Sequence, residues 1–154
     1  MTVLALNKRA RYDYEVLETF TAGLVLSGQE VKSVKAGQGS LKGSYVVFKV
    51  SHNRPEAYLL NAHIPAYRYA SKKEGYEPDS PRKLLLRKRE ISYLLGKREE
   101  KGLTLVPLKL YTERSLIKLE FAVARGKKRY DKRESEKRRD INRRLKTVRQ
   151  SGRF

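Results

Sequence analysis

The sequence predicts a mainly β protein: a small antiparallel barrel, closed or partly open, of about six short strands with two inserted helices. Three observations carry the prediction. Aromatic and β-branched residues alternate with polar ones in several short runs, turn-forming residues separate those runs, and within the body helical periodicity is confined to two places. A chain of 154 residues suits one domain able to bury a core without disulfides or metal clips.

Residues 12–20 and 22–26 read as two strands separated by little more than a turn. Ser27-Gly28-Gln29-Glu30 then has the pattern of a capping box, in which Ser27 caps the backbone and Glu30 reaches back to the Ser27 N–H. A short helix follows, with Val31 and Val34 inward, Lys32 and Lys35 on other faces, and Gly37 as its stop. Alternation returns in residues 45–50 and 57–64, a hairpin whose polar turn spans 51–55. In the second of these strands Leu60, Ala62 and Ile64 are expected on one face, with Asn61 and His63 on the other. Residues 65–81 form a connection too long for a compact domain without a functional reason.

The second helix is expected over 87–101, with Ile91, Leu94 and Leu95 at helical spacing and Gly102 as its stop. Two last strands cover 103–111 and 116–124 around a turn at 112–115. In the final strand Ile117, Leu119, Phe121 and Val123 share one face, and Lys118 and Glu120 the other. Such an inventory fits a barrel of the oligonucleotide-binding kind better than a parallel α/β sheet.

Charge narrows the choice of partner. The net charge is +19, and residues 125–154 hold fourteen Lys or Arg against four Asp or Glu, so over half of the excess occupies the last fifth of the chain. Positive charge on a folded body and its tail favours a polyanion, because each neutralised phosphate releases counterions. Nucleic acid leads, since the tail offers few of the bulky apolar anchors that membrane surfaces require. The longest uncharged run, residues 19–29, is far shorter than the roughly 20 residues of a membrane-spanning helix. There is no Cys, which excludes disulfides and thiolate zinc sites. With no secretory signal pattern at the N-terminus, a cytoplasmic protein is expected.

Catalytic patterns are lacking. His52 and His63 have no thiol with which to build a tetrahedral metal site, so no metal and no cofactor is expected. The stretch from Gly37 to Gly43 has its third glycine one place late for a dinucleotide loop and follows a helix, so it reads as a helix stop and a turn. Binding chemistry is better represented. Lys8, Arg9 and Arg11 stand beside Tyr12 and Tyr14, a mixture that pairs with phosphates and stacks on bases. Asn61 and His63 offer hydrogen bonds to base edges or 2′-hydroxyls; ordinary surface polarity is the alternative. Capping explains Glu30, with RNA contact or the orientation of Lys32 as a second role.

The chain resembles the small protein B family, the protein partner of transfer-messenger RNA in bacterial ribosome rescue. The ordered motifs that carry the resemblance are ALNKRAR from Ala5, AGL from Ala22, GQEVKS from Gly28, AG at Ala36, NAHI from Asn61, RKLLL from Arg82, GLTLVPLKLY from Gly102 and GKKRYDKR from Gly126. The resemblance implies a six-stranded barrel of oligonucleotide-binding type over residues 1–124 that binds the tRNA-like domain of that RNA. It also implies a basic tail over 125–154 that becomes ordered and helical in the empty mRNA channel of a stalled ribosome. It places Leu85 and Lys118 at the RNA surface, together with Arg82 and Lys83, the basic flank of the Leu triplet. For the tail it implies ribosome contacts by Lys127, Lys128, Asp131, Lys132 and Arg133, a hinge at Gly126, and Tyr130 as a stacking group near the decoding centre. Three departures are visible: Thr21 replaces a residue often acidic in relatives, residues 51–56 read as a longer turn than usual, and the residues after Asp140 follow no family pattern and are assigned no site.

The reading is therefore a monomeric, non-enzymatic adaptor that delivers transfer-messenger RNA to stalled ribosomes for trans-translation. The alternatives are a general single-strand or translation-factor-like RNA binder and a metal-dependent phosphodiester enzyme. The tail has its own physics. Glu134 with Arg138 and Asp140 with Arg144 are supportive i,i+4 pairs, and Ile141, Leu145 and Val148 repeat at helical spacing. Cationic crowding opposes that helix in free protein, and a phosphate-lined channel relieves it. Arg138→Pro, which costs a helix about 3 kcal/mol, is therefore expected to lower tagging of stalled products far more than Arg138→Ala, with binding to free RNA unchanged by either. Equal tagging by the two variants would make a tail helix unnecessary.

Overall fold

The computed structural model describes residues 1–70 and 74–127. Seven strands and three helices follow one another: β1 (Thr2–Leu6), α1 (Ala10–Asp13), β2 (Tyr14–Leu24), α2 (Gly28–Lys35), β3 (Tyr45–Ser51), β4 (Arg54–Leu60), β5 (Arg82–Leu85), α3 (Lys88–Glu99), β6 (Leu103–Glu113) and β7 (Leu116–Gly126). All pairings are antiparallel, in the order β1-β6-β7-β2-β5-β4-β3. The sheet coils on itself until β3 approaches β6, which makes a partly open barrel.

The expected class of fold is present, with strand number corrected from six to seven. The two strands expected over 12–26 are one, because β2 runs unbroken from Tyr14 to Leu24 and absorbs a bulge between Val16 and Glu18 instead of a turn. β1 and β5 are additional. Each is too short to show a period, and each exists through its partner: Leu6 pairs with Lys109, and Leu84 with Leu24 on one side and Ala57 on the other.

Both hairpins are tighter than their sequences suggest. β3 and β4 are joined by His52-Asn53 at φ 51° and 63°, and β6 and β7 by Arg114-Ser115 at φ 49° and 68°. Two consecutive positive φ values are the mark of the two-residue turn whose twist matches flanking strands. The longer turn expected over 51–56 is thus a two-residue turn with β4 beginning at Arg54.

β7 is the spine. Ile117, Leu119, Phe121 and Val123 enter the main core with Ala22, Leu59, Leu84, Leu110 and Leu94, as the alternation requires. Ala122 and Ala124, on its opposite face, lie in a second small cluster with Val106, Leu108 and Ala10, which α1 brings across the sheet. On β4 the expected face is corrected. Ala57 and Leu59 are fully buried while Leu60 is half-buried, and Asn61 at φ 60° resets the direction so that Ala62 and Ile64 also turn inward.

The last strand outruns its expected end. β7 continues past Ala124, with Arg125 paired to Glu15 and Gly126 to Tyr14, so Gly126, expected as a hinge, is a ladder residue. The Lys127 N–H then donates to the Asp13 carbonyl at 2.8 Å and its Nζ to the Arg11 carbonyl at 2.9 Å. Lys128, Tyr130, Asp131, Lys132 and Arg133, with the rest of the expected tail, lie outside the described residues.

The hairpin geometry has a measurable consequence. Ser115→Gly removes the side-chain penalty of the left-handed conformation and is expected to stabilise the protein by up to about 1 kcal/mol. The readout is a higher urea midpoint at unchanged slope, and Ser115→Val is expected to lower it.

Candidate nucleic-acid interface

The site is built around an ion pair inside the protein. α2 begins with the expected capping box: the Glu30 N–H donates to Ser27 Oγ at 3.3 Å, and the Ser27 N–H to Glu30 Oε1 at 2.9 Å. The other carboxylate oxygen, Oε2, accepts from Arg82 Nε at 2.7 Å, and a second guanidinium nitrogen donates to the Ala62 carbonyl at 2.6 Å. The Arg82 side chain is 2% exposed and that of Glu30 13%.

Two of the expected RNA contacts, Glu30 and Arg82, meet each other in this pair. Arg82 points inward from β5, and both oxygens of Glu30 are occupied within the protein. The pair ties α2, β5 and the Asn61 to His63 segment together. Burial pushes the Glu30 carboxyl up, but the Ser27 N–H and the Arg82 guanidinium outweigh it and hold the group below its ordinary 4.5.

Around this unit the polar candidates gather. Lys32 is exposed on α2 with its ammonium 5.7 Å from the Tyr67 ring, and Ser33 Oγ donates to the Pro65 carbonyl at 2.6 Å. Asn61 and His63 are both exposed on either side of buried Ala62. His63 bridges Ser40 through its backbone, and its Nδ1–H donates to the Asp79 carboxylate at 2.8 Å. The Ser40 loop also reaches the N-terminal cations, since Lys8, Arg9, Ser40 and Lys42 line one open hollow. Arg9 stacks over the Tyr12 ring at 4.6 Å and sits 3.4 Å from Asp13. Arg11 is exposed on α1.

Leu85, Lys83 and Lys118 belong to the outer face of the sheet. Cross-strand partners place Val3, Tyr111, Lys118, Gly23 and Leu85 in one row over β1, β6, β7, β2 and β5. At strand spacings near 4.8 Å the row is roughly 19 Å long. Leu85 is 55% exposed while its neighbour Leu84 is buried. Gly23 explains how Leu85 lies against the sheet, because a Cβ there would come within 3.3 Å of the Leu85 Cβ. Lys118 lies 3.4 Å from Glu113, and Lys83 is 3.4 Å from Glu56. The Tyr111 hydroxyl donates to Thr21 Oγ1 at 3.3 Å, so its ring spans β7.

Sequence reasoning missed Gly23, Tyr111, Ser40 and Lys42. A glycine inside a strand pattern was the one available signal; the others depend on pairing across distant segments. The arrangement offers an apolar ledge for a base or sugar beside a cation for phosphate. Among the described residues no group of His, Asp and Glu could hold a metal ion, and no helix is long and apolar enough to cross a membrane.

Comparison with known proteins agrees in extent. The family model described as SmpB protein matches residues 4–151. An SsrA-binding protein of Thermosipho melanesiensis is 49% identical over 146 residues, covering 94% of this chain and 96% of the relative. One from Pseudothermotoga lettingae is 49% identical over 148 residues, covering 96% of each. A solved chain described under the words "tmRNA-SmpB: a journey to the center of the bacterial ribosome" is similar at TM-score 0.66 and 47% identity, covering 87% of this chain and 94% of that one.

The buried pair carries a prediction. Glu30→Gln leaves the Arg82 cation buried without its counter-charge and is expected to cost about 3–5 kcal/mol, whereas Glu30→Leu with Arg82→Met is expected to cost much less. Since the folded Glu30 titrates below 4.5, the pair's contribution is complete at neutral pH and is lost as pH falls from 4.5 through the lower folded value. Denaturant midpoints from pH 7 to pH 3 check both: the double variant's midpoint should fall less with acid than that of the parent.

Proposed function

The chain belongs to the SmpB family, and from that premise we propose that it binds transfer-messenger RNA and brings it to stalled ribosomes for trans-translation. The carrying observation is the match across residues 4–151, which includes the body and most of the basic tail. Relatives that share nearly the whole chain are SsrA-binding proteins, and the similar solved chain comes from a study of tmRNA-SmpB and the ribosome.

On this reading the body takes the tRNA-like domain. Leu85 offers an apolar contact to an exposed base or sugar, Lys118 and Lys83 meet phosphate, and Lys8, Arg9, Arg11 and Lys32 add cations with adjacent aromatic rings. Asn61 and His63 supply hydrogen bonds, and Glu30 and Arg82 hold the segments that present them. The protein works by binding, without a catalytic step, in the cytoplasm where ribosomes are. The tail, through Lys127, Lys128, Tyr130, Asp131, Lys132 and Arg133, is read as entering the empty mRNA channel. Lys127 and Gly126 are held beside α1, so the tail departs next to Arg9 and Arg11. That position joins two basic segments into one continuous charge.

The decisive experiment compares binding of transfer-messenger RNA, an elongator tRNA and random RNA at one salt concentration. A clear preference for the first is expected, and equal affinities would favour a general RNA binder. Lys118→Ala should weaken binding and reduce the salt slope by about one; an unchanged slope would leave Lys118 to Glu113 alone. Removal of residues 128–154 should abolish tagging on stalled ribosomes while RNA affinity changes little, and a large affinity loss would contradict the division of labour.

A further inference from the structure

α3 sends one apolar side chain, Leu94, fully into the core, while Ile91 and Leu95, one turn apart, belong to neither core cluster. These two line a groove of about 460 Å3 between α3 and the sheet, with Pro55 also in its wall and Leu86 and exposed Leu85 at its sheet end. That volume is in the range of sites for small organic groups. Leu85 also ends the outer-face row that runs through Gly23 to Lys118, so the groove continues the candidate RNA surface.

The charge at its rim selects the occupant. Arg54, Lys83 and Lys88 face the groove with a single acid, Glu56. Glu56 is already committed, because the Tyr58 hydroxyl donates to it at 2.7 Å and Lys83 lies 3.4 Å away. Tyr58 first, then Lys83, hold its carboxyl below the ordinary value, so it stays ionised and neutralised within the protein. Arg54 and Lys88 take part in no salt bridge among the described residues. An apolar floor under two uncompensated cations suits a flat, weakly polar ring joined to an anion. A nucleotide removed from its stack has that chemistry.

We propose that this groove seats an unpaired nucleotide of transfer-messenger RNA, its base against Ile91, Leu95 and Pro55 and its flanking phosphates on Arg54 and Lys88. The inference rests on the function proposed above and adds a second contact beyond Leu85.

The absence of native Cys makes the test clean. Ser92→Cys, exposed on the groove wall, introduces a single thiol in the full chain, and Glu99→Cys at the far end of α3 serves as control. Saturating transfer-messenger RNA is expected to slow alkylation by N-ethylmaleimide at position 92 at least tenfold and at position 99 little. Equal protection of both thiols, protection of neither, or protection that requires ribosomes would overturn the proposal. Preference over elongator tRNA is measured on the same samples: if it persists while position 92 reacts at its free rate, the groove is wrong and the function stands. If the preference is absent, the functional reading falls and the groove with it. Arg54→Ala with Lys88→Ala should lower the salt slope by about two, and an unchanged slope would remove the phosphate contacts.

Discussion

The arrangement of the body depends on the ion pair between Glu30 and Arg82. Three segments far apart in sequence, the α2 N-terminus, β5 and the link after β4, meet at one buried guanidinium. A buried cation is tolerable only when its counter-charge and hydrogen bonds are in place, so the pair makes the position of each segment conditional on the others. Lys32, Asn61 and His63 are therefore presented by segments that this pair joins. Specificity of geometry, more than added stability, is what such a pair supplies here.

The sheet solves a different problem. β7 is covered on both faces, by the barrel interior and by the small cluster beneath α1, and this leaves only its first half free to carry polar groups outward. Lys118 and Glu120 occupy that half. Gly23 on one side permits Leu85 to lie low, and Tyr111 on the other lays its ring across the strand. The outer surface is consequently shallow and mixed in character, suited to a nucleic-acid backbone with an occasional exposed base and poorly suited to enclosing a small substrate.

Electrostatics links body and tail. The final strand delivers Lys127 to α1, so the segment with the highest charge density begins where the N-terminal cations already stand. A concentration of like charge at one place on a surface attracts polyanions.

Local and repetitive features were legible in the sequence. Alternation in β3, β6 and β7, the Ser27 and Glu30 capping box, the Gly37 stop, and the inward face through Phe121 all follow from periods and caps that neighbouring residues decide among themselves. The excess of charge, and the class of partner it selects, is likewise a property of composition. Tertiary structure decided the rest. β1 and β5 are strands only because partners from distant parts of the chain complete their hydrogen bonds, and Arg82 looks like a surface cation until Glu30 and Ala62 are brought to it. Gly126 shows no sign of a ladder partner until Tyr14 pairs with it. A charged or glycine residue carries no local mark of whether it will face water, a counter-ion or a neighbouring strand, because burial is set by what the rest of the chain places against it.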